Sequence, residues 1–418
     1  MISEVMQMSD VRAASSQKDV RGSAAERLPW AALLVLTMAG FICILTETLP
    51  AGLLPGISKD LGISEALAGQ FVSVFALGSL AAAIPIIAAT RGWRRRPLLM
   101  LCIFGFLVSN SVTALSADYA LTLAARFCAG VSSGVVWGMT AGYARRLAPA
   151  SLVGRAMAVV TVGVPLALTL GVPAGTFLGG ILGWRTVFWI MSLLSLILLV
   201  WMVWKLPDFP GQAAEKRLPL RKVFIMPGVR PVLFVVLVWV LAHSILYTYI
   251  APFLDLAGLA GRIDLVLLIF GVTSVVGIWA IGVWIDRRLR LLVMISLYGF
   301  VLSSVLLGIG GGHPVPVYAG VILWGLTYGG AGTLLQTANA DAAGEHADAA
   351  QSMLVTAWNL AIGGGGVIGG IFLETIGVGF SPWALTVLAI LALLVSWRAK
   401  EHGFRADRQA ASLLQANG

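Results

Sequence analysis

The sequence predicts an all-α membrane protein with twelve transmembrane helices arranged in two six-helix halves. The 418 residues are 59% hydrophobic and only 11% charged, whereas soluble domains are about 45–50% apolar and about 25% charged. Apolar runs of about 20 residues, the length that crosses a hydrocarbon core of about 30 Å, recur from Trp30 to Trp397. Alternation of polar and apolar residues is absent, which argues against a transmembrane barrel and favours helices.

The apolar runs define the predicted helices, numbered 1 to 12 in chain order. The first run follows a polar, basic stretch and is too long for a signal peptide, so we expect it to remain as helix 1. The predicted spans are 30–54, 69–90, 97–116, 119–143, 153–182, 184–204, 230–254, 263–285, 291–311, 315–338, 350–375 and 380–397.

The two halves of the chain resemble each other. The end of predicted helix 2 continues as TRGWRRRPLL from Thr90, and the end of predicted helix 8 reads DRRLRLLV from Asp286, 196 positions later. Parallel repeats of this kind characterise a large class of secondary transporters with a midplane site between the halves. The expected domains are a cytoplasmic tail (1–28), a six-helix bundle (29–204), a cytoplasmic linker (205–229), a second bundle (230–398) and a cytoplasmic tail (399–418).

The positive charge lies mainly on one side of the predicted membrane. The net charge is +9, and 24 of the 28 Lys and Arg residues fall in the tails, the linker or the loops that follow even-numbered helices. The four exceptions are Lys59, Arg126, Arg185 and Arg262. Because such an excess marks cytoplasmic loops, we expect both termini in the cytoplasm. Nucleic-acid binding, which a basic chain could otherwise suggest, is not expected.

Residues that would carry enzyme chemistry are missing or scattered. The sequence has no metalloprotease, Walker or serine-hydrolase motif, and its four histidines, at positions 243, 313, 346 and 402, are far apart. The three cysteines fall in apolar spans, where a thiol behaves as a small hydrophobe. We therefore expect no enzymatic activity, no metal and no cofactor.

One acid and one arginine stand at similar depths inside predicted helices 1 and 4, namely Glu47 and Arg126. A charge in a membrane helix costs at least about 2.5–3.5 kcal/mol on insertion scales and usually marks a pathway or a partner. Three interpretations stay open: a static pair that fastens the two helices, a carboxyl group that gains and loses a proton, or two unrelated charges. Pro50 cannot donate a hydrogen bond to the carbonyl of residue 46, so it is expected to kink or end helix 1.

Glycine and proline are abundant in three predicted helices. Glycines follow Arg126 at four-residue intervals in helix 4, on one face where another helix can approach closely. Helix 5 contains Pro165 and Pro173 among five glycines, and helix 11 contains GGGGVIGG. Either close packing or local bending near the midplane would explain the glycines of helices 5 and 11.

Taken together, these features resemble the Major Facilitator Superfamily over nearly the whole chain after the tail. More closely, TETLPAGLLPGISKDLGISEALAGQ from Thr46 and LGGILGWRTVFWI from Leu178 are similar to the bacterial drug:proton antiporter group, which includes sugar, chloramphenicol and purine-ribonucleoside efflux proteins. The resemblance implies export by alternating access across the bacterial inner (plasma) membrane, driven by inward proton flow. It also implies that Glu47 and Arg126 form the proton-coupling pair.

The same resemblance implies conformational motifs, with three departures from the family pattern. The usual Gly-Pro pair of helix 5 appears as Val172-Pro173, Thr90 stands where the family has Asp, and Ile86 stands where a Gly is usual. The departures at Ile86 and Thr90 place the cytoplasmic latch of the first half in doubt. The residues assigned to these motifs are Arg91, Arg94, Gly171, Pro173, Gly175, Gly179, Gly180, Gly282, Asp286 and Arg287.

The sequence leaves the transported solute open. Polar and aromatic residues at suitable depth are the substrate-binding candidates: Gln70, Trp137, His243, Tyr247, Tyr328 and Asn359. A lone membrane histidine could equally be a helix-packing group. The expected partners are the lipid bilayer, protons and a small drug, nucleoside or sugar-like molecule, bound by a monomer. An uncoupled facilitator and a membrane sensor or scaffold are the alternatives.

Overall fold

The computed structural model describes residues 28–86, 89–90, 92–211, 220–310 and 312–404. Almost all of these residues are helical, and none of them belongs to a β-strand. Most of both predicted tails and part of the predicted linker lie outside the described residues, as does Arg91. The domain boundaries therefore stay predictions.

Twelve helical segments, α1 to α12, follow one another along the described chain. A short helix, Leu220–Ile225, precedes α7. The segments are α1 Trp30–Leu61, α2 Glu65–Ala81, α3 Arg95–Leu115, α4 Tyr119–Leu147, α5 Val153–Leu182, α6 Trp184–Lys205, α7 Val229–Thr248 continued by Ile250–Leu256, α8 263–287, α9 289–310, α10 Pro314–Tyr328 continued by Ala331–Ala343, α11 Ala347–Thr375 and α12 Ser381–Arg398.

The lengths of these segments agree with a multi-pass membrane protein. Within the described ranges, nine helices are long and apolar enough to cross a bilayer. One of the nine, Ala260–Gly310, contains both α8 and α9, which meet at the non-helical Arg288. The short α2 and the interrupted α10 are the other two segments. The structure is therefore consistent with the twelve predicted crossings.

The predicted end of helix 1 and the predicted start of helix 2 are wrong. Helix α1 continues through Pro50 and Pro55 to Leu61, beyond the predicted end at residue 54. It stops where Gly62 adopts a left-handed conformation, at φ 63°, as is common after a helix. Helix α2 begins four residues earlier than predicted because the Ser64 side chain accepts a hydrogen bond from the Leu67 N–H at 3.2 Å and caps the helix.

Close glycine contacts join helices within the first half. A Cβ on Gly130 of α4 would lie 2.0 Å from the Phe75 carbonyl of α2, and one on Gly78 of α2 would lie 2.2 Å from the Phe127 carbonyl of α4. Helices α2 and α4 therefore touch backbone to backbone, the geometry that small residues permit in membranes. This contact places Arg126, at the same face of α4, against α2 and α1.

The glycine contacts between the first six and last six helices lie in the middle and outer parts of the predicted membrane span. Gly366 of α11 lies against Ser73 of α2, and Gly271 of α8 lies against Thr169 of α5. Toward the predicted cytoplasmic ends of α4, α5 and α8, by contrast, no neighbouring helix comes within 4 Å of a Cβ placed on the glycines there. Those glycines are Gly142, Gly154 and Gly282.

Candidate functional site

Arg126 is completely buried in α4 and is held by backbone carbonyls rather than by a carboxylate. Its Nη2 donates to the Thr46 carbonyl of α1 at 2.5 Å, and its Nε donates to the Phe71 carbonyl of α2 at 3.3 Å. Its guanidinium carbon lies 5.0 Å from the centre of the Phe75 ring, a favourable cation–π distance. Nη1 has no hydrogen-bond partner.

The acceptor in α1 is available because of Pro50. In an α-helix the carbonyl of residue 46 accepts from the N–H of residue 50, and proline has no N–H. The Thr46 carbonyl would remain unpaired in a buried helix, which is costly, and Arg126 supplies the missing donor. The same contact explains why α1 continues past Pro50 instead of ending there.

Glu47 is 9% exposed and lies one residue after the Arg126 contact. Both residues are described by the structure, and no ion pair within 4 Å joins them, contrary to the static pair considered from sequence. Arg126 nevertheless acts electrostatically on the Glu47 carboxyl group. The hydroxyl groups of Tyr247 in α7 and Tyr328 in α10 also lie within electrostatic range of Glu47. Glu47 therefore lies on the part of α1 that is close enough to the second half of the chain for its charge to act there.

An aromatic cluster fills the second-half side of this region. His243 of α7 is stacked on Tyr328, with ring centres 3.8 Å apart and planes 9° apart, and on Tyr247, with centres 5.0 Å apart. Phe270 of α8 and Trp324 of α10 complete the cluster, with ring centres 4.9 Å apart. The structure thus brings together three of the six predicted substrate-binding residues.

A hydrogen bond fixes the form of the histidine in this cluster. The indole Nε1–H of Trp324 donates to His243 Nδ1 at 3.1 Å. A ring nitrogen that accepts a hydrogen bond carries no proton, so the proton of the neutral imidazole is on Nε2. His243 therefore has an N–H donor at Nε2, and its ring stacks on two tyrosines.

The other three predicted substrate-binding residues lie elsewhere. The ring of Trp137 packs on Gly40 of α1, with Cη2 3.5 Å from the position of a Cβ there, two turns from Glu47 on the same face. The Gln70 amide donates to the Gly366 carbonyl of α11 at 3.3 Å and to the Tyr249 hydroxyl at 3.4 Å. Asn359 donates to Val355 of its own helix at 2.9 Å.

Gln70 and Tyr249 belong to the contact between the two halves near the predicted outer face. The Tyr249 hydroxyl donates to the Gly366 carbonyl at 2.7 Å and approaches the Ala66 carbonyl of α2 at 3.1 Å. A Cβ on Gly69 would lie 2.3 Å from the same hydroxyl. The glycine-rich part of α11 is a regular helix, so close packing explains its composition without local unwinding.

The glycines of α5 receive leucine side chains of α1. Leu45, Leu49 and Leu53, four residues apart, pack in turn against glycines four residues apart in α5, namely Gly171, Gly175 and Gly179. Gly180 takes no part in this packing, because nothing lies within 4 Å of a Cβ there. Before the buried Pro173, residues Ala167–Gly171 adopt π-helical geometry, which accommodates the hydrogen bond that proline removes.

At the predicted cytoplasmic face, Arg94 forms an ion pair with Asp208, which follows α6. The backbone N–H of Arg96 also donates to this carboxylate at 3.1 Å. Partial desolvation opposes ionisation of Asp208, but the hydrogen bonds from Arg94 and Arg96 and the Arg94 charge outweigh it, so its pKa is lowered. In the first half, Thr90 stands where the family pattern has an Asp. Asp208 therefore supplies a carboxylate to the arginines of the same loop.

The corresponding arginine of the second half makes a related contact. Arg290, 196 positions after Arg94, donates through Nη2 to the Trp397 carbonyl of α12 at 2.9 Å and through Nη1 to the Phe404 carbonyl at 3.1 Å. Each half thus holds the end of its sixth helix, or the chain just after it, with an arginine at the start of its third helix. Asp286 and Arg287 are exposed at the end of α8.

Sequence reasoning missed several residues of this region. Trp324 precedes Tyr328 by four residues in WGLTY, a spacing that could have indicated a shared helix face. Phe270 is one of 17 phenylalanines and has no distinguishing sequence context. The Thr46 carbonyl is a backbone group, and only the absent N–H of Pro50 points to it.

The chain matches the model of the Major Facilitator Superfamily over residues 36–366. It is 30% identical over 389 residues to the purine ribonucleoside efflux pump NepI of Escherichia coli O6:H1, a match that covers 91% of this chain and 97% of that protein. The NepI protein of Shigella dysenteriae serotype 1 is 30% identical over 385 residues, covering 91% and 98%.

Solved structures with low sequence identity share the fold. A D-xylose–proton symporter superposes with a TM-score of 0.75 at 16% identity, covering 90% of this chain and 99% of that one. The human organic anion transporter MFSD10 (TETRAN) gives a TM-score of 0.67 at 18% identity, covering 90% and 100%.

Proposed function

This chain belongs to the Major Facilitator Superfamily, and on that premise we propose that it is a proton-coupled exporter of small organic solutes. Its place is the bacterial inner membrane, with both termini in the cytoplasm. Solute leaves by alternating access as a proton enters, and Glu47 is the group that takes and releases the proton.

The placement of Glu47 is the observation that carries this proposal. The carboxyl group is buried, has no ion-pair partner within 4 Å among the described residues, and lies within electrostatic range of two tyrosines of the second half. An isolated acid inside a membrane protein is costly to keep and usually marks an ion or substrate pathway. Protonation relieves that cost, so the state of Glu47 can be tied to the arrangement of the two halves.

The contacts of Arg126 argue against a purely structural role for Glu47. Arg126 already fastens α4 to α1 and α2 through two carbonyls. Neutralising Glu47 leaves both of these hydrogen bonds in place. The uncoupled facilitator remains the alternative, and it predicts that such a variant behaves like the wild type.

The aromatic cluster favours planar heteroaromatic molecules as the transported solutes. Its members are His243, Tyr247, Phe270, Trp324 and Tyr328. Ring faces bind other rings by offset or edge-to-face stacking, each pair adding about 0.5–1.5 kcal/mol beyond area burial. The His243 Nε2–H adds a directed donor. Two relatives that match this chain over nearly their full length are purine ribonucleoside efflux pumps. Purine ribonucleosides are therefore the first solutes to test.

The test is transport by the full-length protein in proteoliposomes under an imposed pH gradient. Uptake of radiolabelled adenosine or inosine into inside-acidic vesicles, with a pH-sensitive dye to follow protons, compares the wild type with Glu47→Gln. We expect solute accumulation with counterflow of protons in the wild type, and loss of both in Glu47→Gln.

Two outcomes would contradict the proposal. Equal accumulation with and without the pH gradient would return the protein to the facilitator class. Binding of nucleoside without flux in either direction would favour the sensor or scaffold. Arg185→Gln, which removes a half-buried ion pair with Asp60 and hydrogen bonds to the Ala114 and Ser116 carbonyls, is the control for a charge change elsewhere.

A further inference from the structure

We infer that Pro50 is a positioning residue of the proton-coupling site: it leaves the Thr46 carbonyl open for Arg126, which keeps the guanidinium off the Glu47 carboxylate. This inference rests on the proposed role of Glu47. It concerns how readily Glu47 takes a proton, and it can be measured without any transported solute.

Two carbonyl contacts of the same guanidinium show the effect of the missing N–H. The Thr46 carbonyl, which has no helical donor, accepts from Arg126 at 2.5 Å. The Phe71 carbonyl lies inside α2, where the N–H of Phe75 is its helical donor, and it accepts from Arg126 at 3.3 Å. The guanidinium therefore binds more closely to the carbonyl that proline has freed.

The Arg126 guanidinium has a second possible acceptor, the carboxylate of the residue that follows Thr46. Arg126 is fully buried and its Nη1 has no hydrogen-bond partner, a situation that strongly favours any further acceptor. The Glu47 carboxylate is that acceptor, because it lies within electrostatic range of Arg126. The hydrogen bond to Thr46 thus keeps the Arg126 guanidinium from forming an ion pair with the Glu47 carboxylate. Glu47 is therefore free to exchange a proton.

The other ionisable groups near Glu47 do not substitute for Arg126. Among the described residues, those in electrostatic range are Cys43 on its own helix, Tyr247 on α7 and Tyr328 on α10. None of these is a cation. Apart from the burial of the carboxyl group, the distance between Arg126 and Glu47 is therefore the variable that most affects its proton affinity.

The decisive variant is Pro50→Ala, which supplies the N–H that Thr46 lacks. The restored helical hydrogen bond competes for the Thr46 carbonyl, and Arg126 shifts toward Glu47. A carboxylate paired with a cation holds a proton less readily. We expect the pH of half-protonation of Glu47 to fall by about one unit, a tenfold loss of proton affinity.

The readout is covalent labelling of the protonated carboxyl group. Dicyclohexylcarbodiimide reacts with buried protonated carboxyl groups, and mass spectrometry of the Glu47 peptide gives the labelled fraction at each pH in the purified full-length protein. Glu47→Gln removes the label and confirms the site. Pro55→Ala is the matched control, because it also supplies a backbone N–H that a proline of α1 lacks, five residues after Pro50. Among the described residues, no side chain donates to the Ala51 carbonyl that Pro55 leaves unpaired.

A wild-type labelling curve in Pro50→Ala would overturn the inference, as would an equal shift in Pro55→Ala. If Pro50→Ala does not fold, lactic acid introduced at position 50 by cell-free synthesis provides a second variant. This residue lacks both the N–H and the ring, so we expect wild-type labelling, and a shifted curve would assign the effect to the ring and refute the inference. A shift in Pro50→Ala beside proton-independent transport would refute the proposed function alone.

Discussion

The glycines of α5 allow a graded test of the packing between α1 and α5. Alanine at Gly163 would place a Cβ 2.2 Å from the Thr37 carbonyl oxygen and 3.0 Å from the Phe41 nitrogen, both backbone atoms of α1. Ordinary contact begins near 3.4 Å, so the helices must separate by about 1 Å. Alanine at Gly179 meets only the end of the Leu53 side chain, at 2.1 Å, which can rotate away, and alanine at Gly180 meets nothing within 4 Å.

Overpacking of this kind costs about 1–3 kcal/mol, whereas replacing glycine by alanine within a helix gains about 1 kcal/mol. We therefore expect Gly163→Ala to lower the thermal unfolding midpoint of the detergent-solubilised protein, Gly179→Ala to change it little, and Gly180→Ala to keep or raise it. Intrinsic tryptophan fluorescence gives the midpoints. Equal midpoints for Gly163→Ala and Gly180→Ala would show that α1 and α5 do not touch as described.

Three further outcomes follow from the site and its supports. Asp208→Asn should reduce stability by less than about 1 kcal/mol at pH 7. Because the folded-state pKa of Asp208 is lowered, this contribution is fully present above the unfolded value of about 3.9 and is lost as the pH falls through the folded value, so the unfolding midpoints of the two proteins should converge as the pH falls below about 3.9. Trp324→Phe keeps an aromatic ring but removes the hydrogen bond to His243, which contributes about 0.5–1.5 kcal/mol. Adenosine binding should therefore weaken by up to about tenfold. Unchanged binding would exclude this hydrogen bond from the binding site. Gly271→Ala, whose Cβ would lie 2.5 Å from the Thr169 Cα and 2.7 Å from the Leu168 carbonyl oxygen, should slow turnover, whereas Gly332→Ala, with Trp358 at 3.7 Å, should not; equal rates would contradict a tight contact between the two halves.

Composition and hydropathy were sufficient to predict the fold, because a bilayer requires long apolar helices and leaves few alternatives. The boundaries that failed depended on local hydrogen bonds. Helix α2 begins at Glu65 because of a serine cap, which lies outside the apolar run. Helix α1 passes Pro50 because an arginine 80 positions after Thr46 supplies the missing donor, and no local rule on proline includes such a partner.

The candidate site was predictable in part for a similar reason. Charges and aromatic residues inside apolar helices are conspicuous, so Glu47, Arg126 and three members of the aromatic cluster could be selected by residue type and depth. Their partners could not, because Arg126 binds carbonyl groups, which every residue carries. Gln70 was assigned to the substrate pocket by depth, yet it lies in the outer contact with Tyr249, a pairing that depends on how α2 approaches α7 and α11.

Helix α1 connects the elements on which the proposed coupling depends. One face packs its leucines into the glycines of α5, a second face offers the Thr46 carbonyl to Arg126, and a third carries Glu47, which lies within electrostatic range of Tyr247 and Tyr328. A change in how the two halves meet must alter the surroundings of Glu47 on the third face, because the first two faces keep α1 attached to its own bundle. The proton affinity of Glu47 is therefore sensitive to the arrangement of the halves, which is the physical requirement for coupling proton entry to solute export.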